Sequence, residues 1–120
     1  MQKTITLDGV DYVRADSVYA QAEKVDGLEY CMVRTYSAGV FAGYVKERKG
    51  KEVTLISARR MYHWEGAASL SQLATEGTSK PDECKFPIAV IRVELTEVIE
   101  VILMTEAAKK SIDSVAVWSA

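Results

Sequence analysis

The chain is short of the residues that build metal sites and acid–base machinery. Its 120 residues include one histidine, two cysteines and two prolines. Cys31, Cys84 and His63 give no ligand spacing for a structural zinc site, and the two cysteines are expected to be buried free thiols in a reducing compartment. No apolar run approaches the roughly 20 residues that a bilayer-crossing helix needs, so no membrane contact is expected. The opening MQKTITLDGVDY has no apolar signal-peptide core, which points to a cytoplasmic protein. A basic surplus is also missing: 15 Lys and Arg stand against 17 Asp and Glu, for a net charge of -2. Double-stranded nucleic acid is therefore not an expected partner. A small anionic ligand stays open, provided that arginines cluster locally.

Enzyme motifs are equally scarce. GxSxG, HExxH, Walker A and GxGxxG do not occur. His63 beside Trp64 fits packing or ligand contact better than general-base chemistry. Glu97 and Glu100, at odd spacing in a strand, would point to opposite sides. Glu83, Cys84 and Lys85 form no nucleophile-and-base set. The chain is read as a non-enzyme that needs no cofactor.

What remains is an ordinary globular composition, 48% hydrophobic and 27% charged, that fits one domain over residues 1–120. TITLDGVDYVR reads as a hairpin about Asp8-Gly9. Asp16 or Ser17 can cap a helix that carries Val18, Ala22 and Val25 and closes at Gly27. YCMVRTY (30–36) reads as a strand, and YVKERKGKEVTLI as a hairpin turning near Lys49-Gly50. RRMYHW alternates like a strand, and a helix is expected from Gly66 to Glu76, ended by Gly77. TSKPDECK is a polar loop. IAVIRVEL (88–95) and EVIEVILM (97–104) suit strands. Thr105 can cap a helix through Ser111, and VAVW (115–118) can form a last strand. The expected class is α+β, mainly antiparallel and β-sandwich-like, decorated with about three short helices.

Binding chemistry concentrates in ARRMYHWEGAASL (58–70). Arginine forks pair with phosphate oxygens, aromatic faces stack on nucleobases, and a helix starting near Gly66 or Ala67 would offer free N–H groups to an anion. Arg59 and Arg60 point to opposite faces of a strand, so one of them enters a given pocket, and the spacing does not say which. RTYSAGVFAG (34–43) repeats the pattern, with Arg34 and Tyr36 on one strand face and small residues after them; a β-bulge with glycine at a bend explains it equally. Arg92 is a charge inside the apolar IAVIRVEL.

RTYSAGVFAG, ARRMYHWEGAASLSQLA, EGTSKPDECKFP and TEAAKKSI, in that order, resemble the first Thoeris anti-defence family of phage proteins. The resemblance runs from about Met32 to Trp118, and Ala58–Ala74 is its most specific part. It implies a non-catalytic sponge in the cytoplasm of an infected bacterium. Such proteins bind glycocyclic ADP-ribose, the messenger of the Thoeris system, without degrading it. It further implies a homo-oligomer, either a dimer or a hexamer of dimers, with pockets at subunit interfaces. In some members a separate site also holds cyclic trinucleotides. For such a ligand an aromatic face suits the adenine, an arginine the pyrophosphate and hydroxyls the riboses. The candidate ligand residues are Arg34, Tyr36, Phe41, Arg59, Arg60, Trp64, Phe86 and Arg92, with Ser37, Gly39, Ser69 and Thr105 behind them. Phe86 can equally be core before a strand. The competing readings are an enzyme that degrades a nucleotide messenger and a nucleic-acid-binding phage regulator.

Overall fold

The structure, a computed structural model, describes residues 20–120 and the backbone of two short strands, Thr4–Leu7 (β1) and Val10–Val13 (β2). These pair antiparallel, from Thr4 with Val13 to Leu7 with Val10, as the hairpin reading expects. The Asp8-Gly9 turn and residues 14–19 lie outside the described residues. Among the described residues the class is α+β, with one five-stranded antiparallel sheet and two short helices. The strands are Tyr30–Thr35 (β3), Val40–Lys49 (β4), Glu52–Arg60 (β5), Val90–Leu95 (β6) and Val98–Leu103 (β7). Their order is β6-β5-β4-β3-β7.

That order forces the sheet to curl. β6 and β7 are its two outer strands, yet only Thr96 and Glu97 join them. Flat, five strands would hold their outer members roughly 19 Å apart. Three Cα steps, from Leu95 to Val98, reach at most about 11 Å. The edges therefore converge at this end, where Val98 N–H donates to the Lys51 carbonyl at 2.9 Å. The concave side is filled by Cys31, Val33, Phe41, Val53, Leu55, Ala58, Leu95 and Val98, all buried. Cross-strand partners build this cluster directly: Val33 opposes Phe41 and Val101, and Leu55 opposes Val45 and Val93.

A bulge in β5 decides what faces inward. Val53 and Leu55 point to the concave side, so strict alternation would send Ser57 and Arg59 the same way. Instead the register slips opposite Ala42 and Tyr44, and Ser57 takes a positive φ of 52°. The extra residue resets the alternation. Ala58 and Arg60 turn inward, and Arg59 turns to the outer, convex side. Opposite the bulge sits Gly43, where an added Cβ would lie 3.1 Å from Ala58 Cα and 3.2 Å from the Ile56 carbonyl oxygen. A side chain here would push the two strands apart by a few tenths of an ångström, so glycine suits the close approach of β4.

The second layer packs on the convex side. Helix α1 (Leu70–Glu76) is capped by Ser69, whose Oγ accepts from Gln72 N–H, and ends at Gly77, with φ 80°. Helix α2 (Glu106–Asp113) is capped by Thr105, whose hydroxyl accepts from Ala108 N–H and donates to the Thr75 carbonyl at 2.6 Å. Leu73 and Ala74 from α1 and Ala108 and Ile112 from α2 meet Tyr30, Met32, Ala42, Phe86 and Met104 in the main core. Tyr30 and Tyr44 pack edge to face, 4.9 Å between centroids, and burial drives the Tyr30 hydroxyl pKa strongly upward.

Several expectations change. Residues 20–27 are not helical: Gln21 bridges Thr105, Ala22 N–H donates to Met104, and Val25 and Leu28 close a turn through Asp26 and Gly27. The expected α-helix from Gly66 begins at Leu70, since Ser69 can cap and Gly66, at φ 82°, cannot continue a right-handed turn. β5 ends at Arg60, and beyond it only His63 bridges, to Lys85. VAVW contributes a single parallel bridge, Val117 to Phe86. Cys31 and Cys84 are free and buried, as expected.

Candidate functional site

The concave side opens into a groove of about 380 Å³ beside β6. Phe41, Ala58, Pro87, Ile88, Val90 and Val93 give it apolar walls, and Arg60 and Arg92 add positive charge. Arg60 is aimed there by the Ser57 bulge and by its pairing with Phe41. Its guanidinium carbon lies 4.3 Å from the Phe41 ring centroid, and Nη1 donates to the Ala38 carbonyl. Among the described residues its partners are a ring and a carbonyl, which hold the fork in place without adding a negative charge. Arg92 stands on edge strand β6, opposite Ile56, with Nη2 3.6 Å from Glu94 at the surface. Flat apolar walls with two guanidinium groups at the rim suit an anion attached to a flat, weakly polar body.

Three of the sequence candidates, Phe41, Arg60 and Arg92, thus meet in one groove. Gly39 stands next to it: a Cβ there would lie 3.8 Å from Arg60 Nη1, and its φ of 97° suits glycine. Tyr36 and Ser37 lie in the loop between β3 and β4. Tyr36, exposed, joins Lys51, Glu97 and Ile99 around a second depression of about 250 Å³, and Ser37 Oγ donates to Glu97 Oε1 at 2.9 Å. The loop is folded by Thr35, whose hydroxyl accepts from Ala38 N–H and donates to the Gly39 carbonyl.

The other candidates stand elsewhere. Arg34 pairs with Glu100, Nε to Oε1 at 2.9 Å, across the β3–β7 ladder. Arg59 is 8% exposed and points away from the groove, into the helical layer. Nε donates to the Pro87 carbonyl at 3.0 Å, Nη1 to Ile112 at 2.9 Å, and Nη2 to Phe86 at 3.1 Å and Val115 at 2.8 Å. Burial pulls its pKa below the usual arginine value. Phe86 is fully buried core, and Trp64 packs against the same cluster. Ser69 and Thr105 cap helices. Ala58, Pro87, Ile88, Val90 and Val93 line the groove without having been singled out. For Ile88, Val90 and Val93 the signal was the apolar IAVIRVEL, whose exposure a strand reading alone does not reveal; Ala58 and Pro87 carry none. His63 stays outside the groove lining and pairs with Glu65, Nε2 to Oε2 at 3.0 Å.

Among the described residues no group of three or more His, Cys, Asp or Glu could hold a metal ion, and no helix is long and apolar enough to cross a membrane. The chain matches no curated protein and no solved structure. One family covers most of it, from residue 28 to residue 112, a span that takes in all of β3–β7, helix α1, helix α2 up to Ile112 and every residue lining the groove. The chain belongs to the family described as Domain of unknown function (DUF6948).

Proposed function

We propose that the protein binds a cyclic nucleotide messenger, glycocyclic ADP-ribose, and holds it intact as a sponge in the cytoplasm of an infected bacterium. One observation carries the reading: the Arg60 fork lies over Phe41 at a groove that also has Arg92 in its lining. The two guanidinium groups suit the pyrophosphate, whose charges need only local compensation in a chain of net charge -2. The exposed Ile88 and Val90 offer apolar surface to the adenine. The resemblance in RTYSAGVFAG and ARRMYHWEGAASL supplies the messenger's identity. Cyclic trinucleotides, taken up by some proteins of the resembling family, are a further ligand class to try.

We also propose that the working form is a homo-oligomer, a dimer or a hexamer of dimers. Outer strands β6 and β7 expose apolar side chains, with Ile91 at 87% and Ile99 at 50%. A second copy laid against β6 would cover Ile88 and Ile91 and enclose the groove.

The test is retention. The protein is incubated with glycocyclic ADP-ribose, freed of unbound ligand, denatured, and the release is identified by mass. Intact messenger is expected. A changed product would make the protein an enzyme, and an empty release would overturn the reading.

A further inference from the structure

We infer that the C-terminal segment Val115–Trp118 is a strap that fixes one wall of the groove from outside. The inference is conformational, and its weight for ligand binding rests on the groove reading above. The wall is Pro87–Ile88, the stretch that leads into β6. No residue after Val93 lines the groove, so the tail reaches the site only through what it holds.

Three contacts make the hold: a backbone bridge and two ring contacts. Val117 bridges Phe86 in parallel, and Trp118 N–H donates to the Phe86 carbonyl at 3.0 Å. The Trp118 ring stacks on Tyr62, 5.1 Å between centroids and 8° from parallel. Lys85 Nζ stands 5.6 Å from the centroid of the same indole. On the inner side Arg59 joins both partners at once. One guanidinium bonds the carbonyls of Phe86 and Pro87 in the wall and those of Ile112 and Val115 at the root of the tail. The wall is therefore clamped between the tail and the extension of β5, where His63 and Lys85 exchange hydrogen bonds at 3.3 and 2.8 Å.

Tyr62 and Trp118 remain partly exposed, and the tail adds little to the main core after Val115. Few buried contacts mean a low opening free energy. The part after Val115, Ala116–Trp118, can thus leave while Val115 and the sheet stay in place, and the wall then loses its outer partner.

Hydrogen exchange read by mass spectrometry tests this on the ligand-free protein. Trp118→Pro removes both the donor to Phe86 and the stacked ring, and Trp118→Phe keeps both kinds of contact. The strap predicts that Trp118→Pro raises exchange over residues 86–93 by about tenfold or more while β3 and β4 keep parental protection; Trp118→Phe stays near the parent. Unchanged exchange at 86–93 in Trp118→Pro overturns the strap. So does a uniform rise across every strand, which would make the tail a general stability element. Tyr62→Leu, at an exposed site, checks the stack alone and should loosen 85–88. The last arm adds glycocyclic ADP-ribose: weaker retention by Trp118→Pro is expected. A parent that retains no messenger but shows the local exchange change would uphold the strap and overturn the groove reading.

Discussion

Arg59 and Arg60 are chain neighbours with opposite tasks, and substituting each by methionine should separate them. Arg59→Met removes four donated hydrogen bonds. The Phe86 carbonyl keeps Trp118 N–H as a partner and the Ile112 carbonyl keeps Val115 N–H, so the carbonyls of Pro87 and Val115 are the two that lose their partner. Bonds from a charged donor contribute about 1.5–3 kcal/mol each, and part of that is returned when the guanidinium no longer has to be desolvated. A net loss of about 3–5 kcal/mol is expected, against a total stability of about 5–15 kcal/mol for a domain. For a chain of this size that lowers Tm by roughly 12–20 °C. Arg60→Met loses a surface cation–π contact and one bond, together about 1 kcal/mol. Its effect should instead fall on messenger affinity, by about 10- to 150-fold for a lost charged pair. Denaturant unfolding and calorimetric titration on both variants read the contrast. If Arg59→Met costs less than about 1 kcal/mol, or if Arg60→Met destabilises as much, the assignment of faces is wrong.

Ser57→Gly should leave stability unchanged or raise it by up to about 1 kcal/mol, because glycine adopts the positive φ freely, whereas Gly43→Ala should lower it by about 1 kcal/mol or more through the clash with Ala58; denaturant midpoints decide both. Burial, then the nearby Glu29, pushes the Cys31 thiol up to about 11. Its folded value lies above the unfolded one, so its contribution is complete below the ordinary thiol range near 9 and disappears as pH rises toward about 11; a Cys31→Ala variant should show a smaller stability loss over that window. Added glycocyclic ADP-ribose should raise Tm, while linear ADP-ribose and NAD raise it little, and equal shifts for all three would reduce the groove to a generic adenine site. Light scattering at micromolar concentration should show an oligomer, and Ile91→Lys on the β6 edge should shift it toward monomer; a parental protein that is already monomeric would contradict the assembly.

Much of the strand pattern was legible because alternation and turn chemistry agree. YVKERKGKEVTLI states its hairpin in both its polar tip and Gly50, and Thr105 announces α2 by its capping chemistry. The segment around Ala22 and Val25 misled because two apolar positions three apart fit a helix as well as an irregular stretch pinned by long-range bridges. The faces of Arg59 and Arg60 were hidden for a more local reason. They depend on a bulge whose positive φ falls on serine, so no glycine marks it in the chain. Arg59 was unreadable as a clamp because its acceptors are backbone carbonyls of a loop and a tail, which carry no side-chain signature.

The two-residue link between β6 and β7 also sets the order in which the chain can assemble. The β4–β5 hairpin pairs residues close in sequence, with Lys49 opposite Glu52, and needs little loop closure. The β3–β7 ladder pairs Cys31 with Leu103 and Met32 with Ile102, across more than half the chain. Such distant pairing is slow, because the entropy of closing the long intervening loop is lost before the contacts form. β6 reaches β5 across a shorter loop, Val53 to Leu95, than β7 must close to reach β3, Cys31 to Leu103. Once β6 is seated, the link through Thr96 and Glu97 holds β7 near its partner. Folding kinetics should then be limited by this last closure, with an early phase in which the β4–β5 amides are protected and those of β7 still exchange.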